Sequence, residues 1–334
     1  FGDRRWAPED RTDHLCGLIQ EYVTELGGRR PTISLVVAGQ ETALRTFEMP
    51  ELKGAQLRSA ITFEAKKRLP FPALDCLFDY RVRARVVREG KSLLRISLIG
   101  ATKRLLGENL EYFRRLDLTV SQVYCAYDAI GQLLPSLPDH NDVGHYALLN
   151  VEPTGTHLSY YHGANLEFYH LTGVGSSFLS TRTDVSRFED FAELLGREIQ
   201  NSLDYYSGQY SSQFGDQVYV YGDLAYTDDL IELLDDKFGF TFRRFPVEEL
   251  ARELSLPEAL RDGLPVGLAT AAAALCPQRL ANLLPDEQVR RQKEQLVNRL
   301  AIAGMVAFAA MLGLQVMADR SETRQLERQI TQVQ

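Results

Sequence analysis

The sequence predicts a mixed α/β protein in two lobes, followed by one membrane-spanning helix. Three observations carry that reading. Short apolar strands alternate with amphipathic helices over residues 10–275. Three strands within 145–172 follow one another through two short turns, with helices and strands alternating after them. Residues 300–318, LAIAGMVAFAAMLGLQVMA, form a run of 19 residues without a charge.

Composition fits this class. Of 334 residues, 45% are hydrophobic and 25% charged, an ordinary globular balance. The net charge of −8 removes nucleic acid from the expected partners, because phosphate neutralisation needs a broad basic surface. The first thirty residues lack the apolar core of a secretory signal. Cys16, Cys76, Cys125 and Cys276 are scattered and form no CxxC, so they read as reduced thiols in a reducing compartment.

In chain order, residues 10–26 suit an amphipathic helix, with Leu15, Leu18, Ile19, Tyr22 and Leu26 on one face and Gly27-Gly28 as the stop. Thr32–Val37 reads as a buried strand and Leu44–Met49 as an alternating one. A helix over 51–68 ends at Pro70-Phe71-Pro72, with Lys66, Lys67 and Arg68 in its last turn, where cations complement the helix dipole. Strands at 77–87 and 93–101 follow, joined by Glu89-Gly90, then a helix at 102–116 and a strand at 119–124.

The second lobe opens with strands at 145–151, 156–161 and 166–172, turned by 152–155 and 162–165. A helix over 188–206, a strand at 217–221, a helix at 227–238, a strand at 240–245 and a small-residue helix at 267–275 complete it. This β-β-β-α-β-α-β-α order is the half-domain order of the actin/Hsp70/sugar-kinase architecture. The predicted division is a first lobe at 1–137 with an extra small subdomain at about 31–120, a second lobe at 138–275, a basic linker at 276–299, the membrane helix at 300–318, and a helical start at 319–334.

At 1.5 Å per residue, 300–318 spans about 28 Å, close to the hydrocarbon thickness of a bilayer. Four basic residues precede it at 285–299 and three follow at 319–333. Together with the signal-less, cysteine-bearing body before it, this places residues 1–299 in the cytoplasm and the C-terminus in the periplasm. Leu326, Ile330 and Val333 at helical spacing suit a short coiled coil beyond the membrane.

The chemistry-bearing residues point away from catalysis. No GxSxG, HExxH, Walker A or GxGxxG occurs. His157, His162 and His170 lie near the meander, but odd spacing sets the first two on opposite faces of a continuous strand, so no metal site is predicted. Asp228-Asp229, Asp235-Asp236 and Glu248-Glu249 read as solvated helix faces or first turns. Gly173-Val174-Gly175-Ser176-Ser177 reads as a loop, with a phosphate cradle as the sharper alternative.

The turn at Asn150–Thr156 is the place where actin-like ATPases carry a D-x-G. Here Asn150 replaces the acid and Glu152 replaces the glycine. Asparagine supplies no charge to order metal-bound water, and a glutamate repels phosphate. Gly222-Asp223 stands where a Gly-Gly adenosine turn is usual. The candidate nucleotide residues are therefore a degenerate set: Asn150, Thr154, Gly155, Thr156, Glu198, Gly222 and Asp223. ATP with magnesium is conceivable there and hydrolysis is not expected; no cofactor is required.

Residues 48–82 carry a more specific pattern: Met49-Pro50, Phe63-Glu64-Ala65, Pro70-Phe71-Pro72 and Asp79-Tyr80. This block resembles the PilM family of type IV pilus assembly proteins, and Leu194–Tyr210 looks like that family's second-lobe helix. Asn282-Leu283-Leu284-Pro285, followed by basic residues and the apolar run, resembles the start of PilN, the membrane partner of PilM. The whole chain is similar to a PilM–PilN fusion, a layout shared by GspL and MshI-type proteins. The family's N-terminal strand and D-I-G-S-S phosphate loop are not found before Trp6.

The resemblance implies a two-lobed actin-like fold and a scaffold role in the inner-membrane assembly platform of a type IV pilus. Implied partners are PilN/PilO-like platform proteins, the platform protein and the motor ATPase, with the chain itself in a homo-oligomeric ring. Asn282–Pro285 would dock in a groove of an actin-like domain, Leu283 and Leu284 by apolar burial and Asn282 by hydrogen bonds to backbone. The competing readings are a nucleotide-binding actin-like ATPase and a GspL-type component of a type II secretion system.

Overall fold

Two antiparallel assemblies, one in each lobe, position everything described below. The structure is a computed structural model, and it describes residues 8–25, 33–137, 144–179, 185–210, 216–222, 227–253 and 279–285. By compactness the chain divides into Phe1–Leu283 and Leu284–Gln334, so the boundary falls inside the Asn282–Pro285 motif.

The first lobe begins with helix α1 (Pro8–Glu25), then β1 (Ile33–Val37) and β2 (Thr42–Pro50). Helix α2 (Gly54–Arg68) stops where Leu69, extended ahead of Pro70, can no longer continue it. Strands β3 (Cys76–Arg88) and β4 (Lys91–Thr102) form a hairpin, and α3 (Lys103–Arg115) starts on a capping bond in which the Leu105 N–H donates to Thr102 Oγ1 at 3.1 Å. Strand β5 (Val120–Cys125) runs directly into a short helix, α4 (Ala126–Ile130).

These strands make two sheets. β2, β4 and β3 pair antiparallel in that order. Their apolar face closes on Ile61, Ala65 and Leu69 from α2, around Phe47, Ile96 and Leu98. β1 and β5 pair with each other, in parallel, in a separate two-stranded sheet. The extra subdomain expected at 31–120 therefore narrows to residues 42–102. Strand 33–37, expected inside it, is hydrogen-bonded instead to 120–125, which begins at its expected boundary.

The second lobe is one five-stranded sheet. β6 (His145–Glu152), β7 (Gly155–His162) and β8 (Asn165–Thr172) form the meander, and β9 (Gln217–Gly222) and β10 (Thr241–Arg244) extend it. The order is β10-β9-β6-β7-β8, with β6–β9 and β9–β10 parallel. This is the half-domain topology expected from the order of elements. β9 reads QVYVY because it is covered on both faces, so alternation gives way to a continuous apolar run. Helices α5 (Val185–Tyr210) and α6 (Thr227–Lys237) bury Phe191, Leu195, Ile199, Leu203, Leu230 and Leu234 against the sheet; α7 (Val247–Glu253) follows β10.

The paired acids fall where the sequence puts them: Asp228-Asp229 and Glu248-Glu249 sit in first helical turns. Among the described residues, no helix is long and apolar enough to cross a membrane. The segments 267–275, 286–299, 300–318 and 319–334 lie outside the described residues.

Ile96 is fully buried between the inserted sheet and α2. Ile96→Ala should destabilise the first lobe by ~2–5 kcal/mol, read as a fall in the urea midpoint. Phe63→Ala, on the exposed side of the same helix, should shift it by less than about 0.5 kcal/mol.

Candidate functional site

The β6–β7 turn is built around side chains that bond to each other. Asn150 is 2% exposed. Its Nδ2 donates to Glu152 Oε1 at 2.9 Å. Glu152 Oε2 lies 3.2 Å from His157 Nε2, and His157 Nδ1 lies 2.7 Å from the Tyr169 hydroxyl. An ionised carboxylate only accepts, so the geometry places an imidazole proton on Nε2. The Tyr127 hydroxyl, 3.1 Å from Nε2, stacks its ring on the imidazole from the first lobe. The hydrogen bond from His157 holds the Glu152 carboxyl below its ordinary value; burial opposes this and Asn150 assists. Burial pushes the Tyr127 and Tyr169 hydroxyls up, so both stay neutral.

The neighbouring backbone is equally committed. The Ser177 N–H donates to the Pro153 carbonyl at 3.0 Å, and Thr156 Oγ1 donates to the Val174 carbonyl at 2.6 Å. Gly175 lies so close to the turn that a Cβ there would sit 2.4 Å from Gly155 N. The glycine loop 173–177 thus packs onto the turn and cradles protein. Gly222, at φ 136°, turns the end of β9 beside Val151. Asp223 lies outside the described residues.

Glu198 stands elsewhere. It lines a groove of about 750 Å³ between β2, the end of α2, β8 and α5, together with Arg45, Arg68, His170 and Tyr205. Asn150, Thr154, Gly155, Thr156 and Gly222 do not line that groove. Of the six described members of the expected nucleotide set, only Glu198 lines that groove. Burial lowers the His170 pKa, with Glu198 opposing and Arg45 assisting.

A second arrangement is far more ordered. Residues 279–283 lie along the first lobe, and each of the five makes a hydrogen bond to it. The Leu283 N–H donates to the Val123 carbonyl at 2.7 Å. The Val123 N–H donates to Asn282 Oδ1 at 2.9 Å, so the asparagine side chain stands in for a strand carbonyl beside β5. The Asn282 N–H donates to Asp79 Oδ2 at 2.9 Å. Arg81 donates to the Leu280 carbonyl, and Arg83 Nη1 to the Arg279 carbonyl at 3.3 Å. Leu280 and Leu283 are buried. Leu284 and Pro285 begin the other compact unit.

The platform under this segment is an ion pair. Arg83 of β3 donates to Asp128 of α4, with side chains 7% and 1% exposed. The other Asp128 oxygen faces the Ala281 N–H at 3.5 Å. The Asp79-Tyr80 pair is therefore part of the docking surface, through the Asp79 carboxylate. Sequence reasoning missed Arg81, Arg83, Val123 and Asp128. Arg81 and Arg83 alternate along β3 with Asp79, but Val123 and Asp128 join them only because β3, β5 and α4 converge.

The three histidines lie in three surroundings: His157 in the buried tyrosine network, His170 in the groove, and His162 at the end of β7. His162 is instead grouped with His145 and Glu167, two residues the sequence reading did not single out. Cys16, Cys76 and Cys125 are free thiols, and burial pushes Cys125 up to about 12.

No family model and no curated protein matches the sequence. Solved structures do match. A chain described as belonging to a PilM-PilN type IV pilus biogenesis complex aligns at TM-score 0.62 with 18% identity, covering 78% of this chain and 84% of that one. The cytoplasmic domain of EpsL, an inner membrane component of the type II secretion system of Vibrio cholerae, aligns at TM-score 0.34 and 12% identity over 71% of this chain and 81% of its own. A Bacteroides thetaiotaomicron protein of actin-like ATPase fold and unknown function gives TM-score 0.38 and 11% identity over 68% and 75%. The first shares the fold; the other two are too distant to carry an argument.

The Glu152 pKa is depressed from 4.5 in the folded protein. Its contribution is therefore complete above the unfolded value and is lost as pH falls through the folded value. Glu152→Gln should flatten the stability–pH profile below about pH 4.5, seen as a smaller loss of Tm on acidification than in the unmodified chain.

Proposed function

We propose that this chain is an inner-membrane assembly component of a type IV pilus machine, a PilM–PilN-like scaffold carried on one polypeptide. The observation that supports it best is the docking of 279–283. A segment with the PilN-like Asn282-Leu283 pair lies in cis on the lobe that bears the PilM-like Asp79, and the fold is shared with a chain from a PilM-PilN complex. Cis attachment gains from effective concentration, so even weak contacts hold the segment in place.

In this reading residues 1–299 are cytoplasmic, 300–318 anchor the chain in the inner membrane, and the body bridges PilN/PilO-like proteins, the platform protein and the motor ATPase, in a homo-oligomeric ring. The body works without nucleotide turnover. At the β6–β7 turn, Glu152 is engaged by His157, and both the Pro153 carbonyl and the Thr156 hydroxyl already have protein partners. A phosphate there would meet a carboxylate and packed backbone. The ATPase reading requires the opposite.

Two experiments test these statements. In the native host, Asn282→Ala with Leu283→Ala should abolish surface pili while the chain stays at normal abundance; pili at normal density would refute the docking role. Loss of secretion with pili intact would move the assignment to a type II secretion system. Adding Mg-ATP at millimolar concentration to the purified chain should leave Tm unchanged and release no phosphate; a clear Tm rise with turnover would restore the ATPase reading.

A further inference from the structure

We propose that His145, His162 and Glu167 form a binding site for a divalent transition-metal ion, with zinc the favoured ion. The nitrogen and carboxylate donors of the three side chains all lie within 4.8 Å of one another. The arrangement follows from strand register. β6 and β7 pair with Glu152 opposite Gly155, and counting back along both strands brings His145 directly opposite His162. Directly opposed residues share a face, and the two imidazole rings stand 4.4 Å apart.

Glu167 reaches the pair because of a bulge. In the β7–β8 ladder Tyr160 faces Phe168 and Tyr161 faces Leu166, so Glu167 is the extra residue of β8. A bulge re-aims the side chain it carries. Here it brings Glu167 Oε2 to 3.8 Å from His145 Nε2. The carboxylate is already oriented: Arg95 Nη1 donates to Oε1 at 3.0 Å and the Tyr206 hydroxyl donates to Oε2. Oε1 is thereby committed to the arginine, and Oε2 keeps an acceptor site for a single metal bond. Arg95 does not leave an uncompensated positive charge beside the ion, because it also pairs with Glu48 at 3.1 Å.

The donor chemistry chooses the ion. Two imidazoles and one carboxylate suit zinc, whereas calcium and magnesium prefer all-oxygen sets. Three protein ligands leave a fourth tetrahedral position for water. Entry is open, since His162 is exposed and His145 partly so, while Glu167 is buried. Metal–ligand bonds of about 2.0–2.2 Å put tetrahedral donors roughly 3.4 Å apart, so the group must contract on binding. His162, at the exposed strand end, is the member with room to swing. Bound metal would clamp the outer ends of β6 and β7 and, through Glu167 and Arg95, fasten β8 to the inserted sheet.

The test uses the full 334-residue chain after chelator treatment. Titration with Zn²⁺ by calorimetry should give one ion per chain with a Tm rise, and Co²⁺ should develop the visible ligand-field band of a tetrahedral site. His162→Gln and His145→Gln should each weaken Zn²⁺ binding about 100-fold and remove the Co²⁺ band, with far-UV circular dichroism unchanged; His14→Gln should leave binding intact. Absence of stoichiometric binding by the folded chain, or binding that both variants retain, would overturn the site.

Discussion

The ion pair between Arg83 and Asp128 lies where the inserted sheet, the helix after β5 and the tail meet. Its members come from β3 of the inserted sheet and from the short helix after β5, and both are removed from water. A charge in that setting is tolerable only when every oxygen and N–H around it is used. The structure complies. Arg83 Nε donates to Ser97 Oγ at 3.0 Å, Nη1 goes to the Arg279 carbonyl, and the second Asp128 oxygen faces the Ala281 N–H. Ser97 in turn donates to the Leu166 carbonyl of the second lobe. Removing either partner would strand the other charge, so this pair sets the positions of the sheet, the helix and the tail together.

The β6–β7 turn obeys the same rule with different residues. Asn150 and Glu152, which look like losses when set beside a D-x-G turn, are gains once His157, Tyr127 and Tyr169 are in view. The glutamate has become the acceptor that fixes an imidazole between two tyrosines from different lobes. The network joins residues of the two lobes through one buried imidazole.

Much of the fold was legible because it is local. The two-residue turns at Pro153-Thr154 and Gly163-Ala164 fix the meander and its register, and Pro70 fixes the end of α2. Register arithmetic from the first turn already pairs His145 with His162; inspecting histidines one at a time along the chain missed it. The bulge at Glu167 was not legible, since nothing in NLEFYHLT announces an extra residue. Helix α4 was missed because five residues cannot sustain a helix by propensity; it exists where Tyr127 and Asp128 find partners in other elements. The tail surface was half legible: Asn282 and Leu283 stood out, and Asp79, Arg81 and Arg83 alternate along β3, but only the fold sets that strand beside Val123 of β5.

The series of bonds along 279–283 has a mechanical corollary. Its bonds to Asp79, Arg81, Arg83 and Val123 follow one another along its length. Tension applied parallel to that direction loads them in shear, all at once. Tension applied across it would peel them singly, like a zip. An attachment of this kind is stiff against one line of force and yielding to the other, which makes it a directional coupling, not a simple tether.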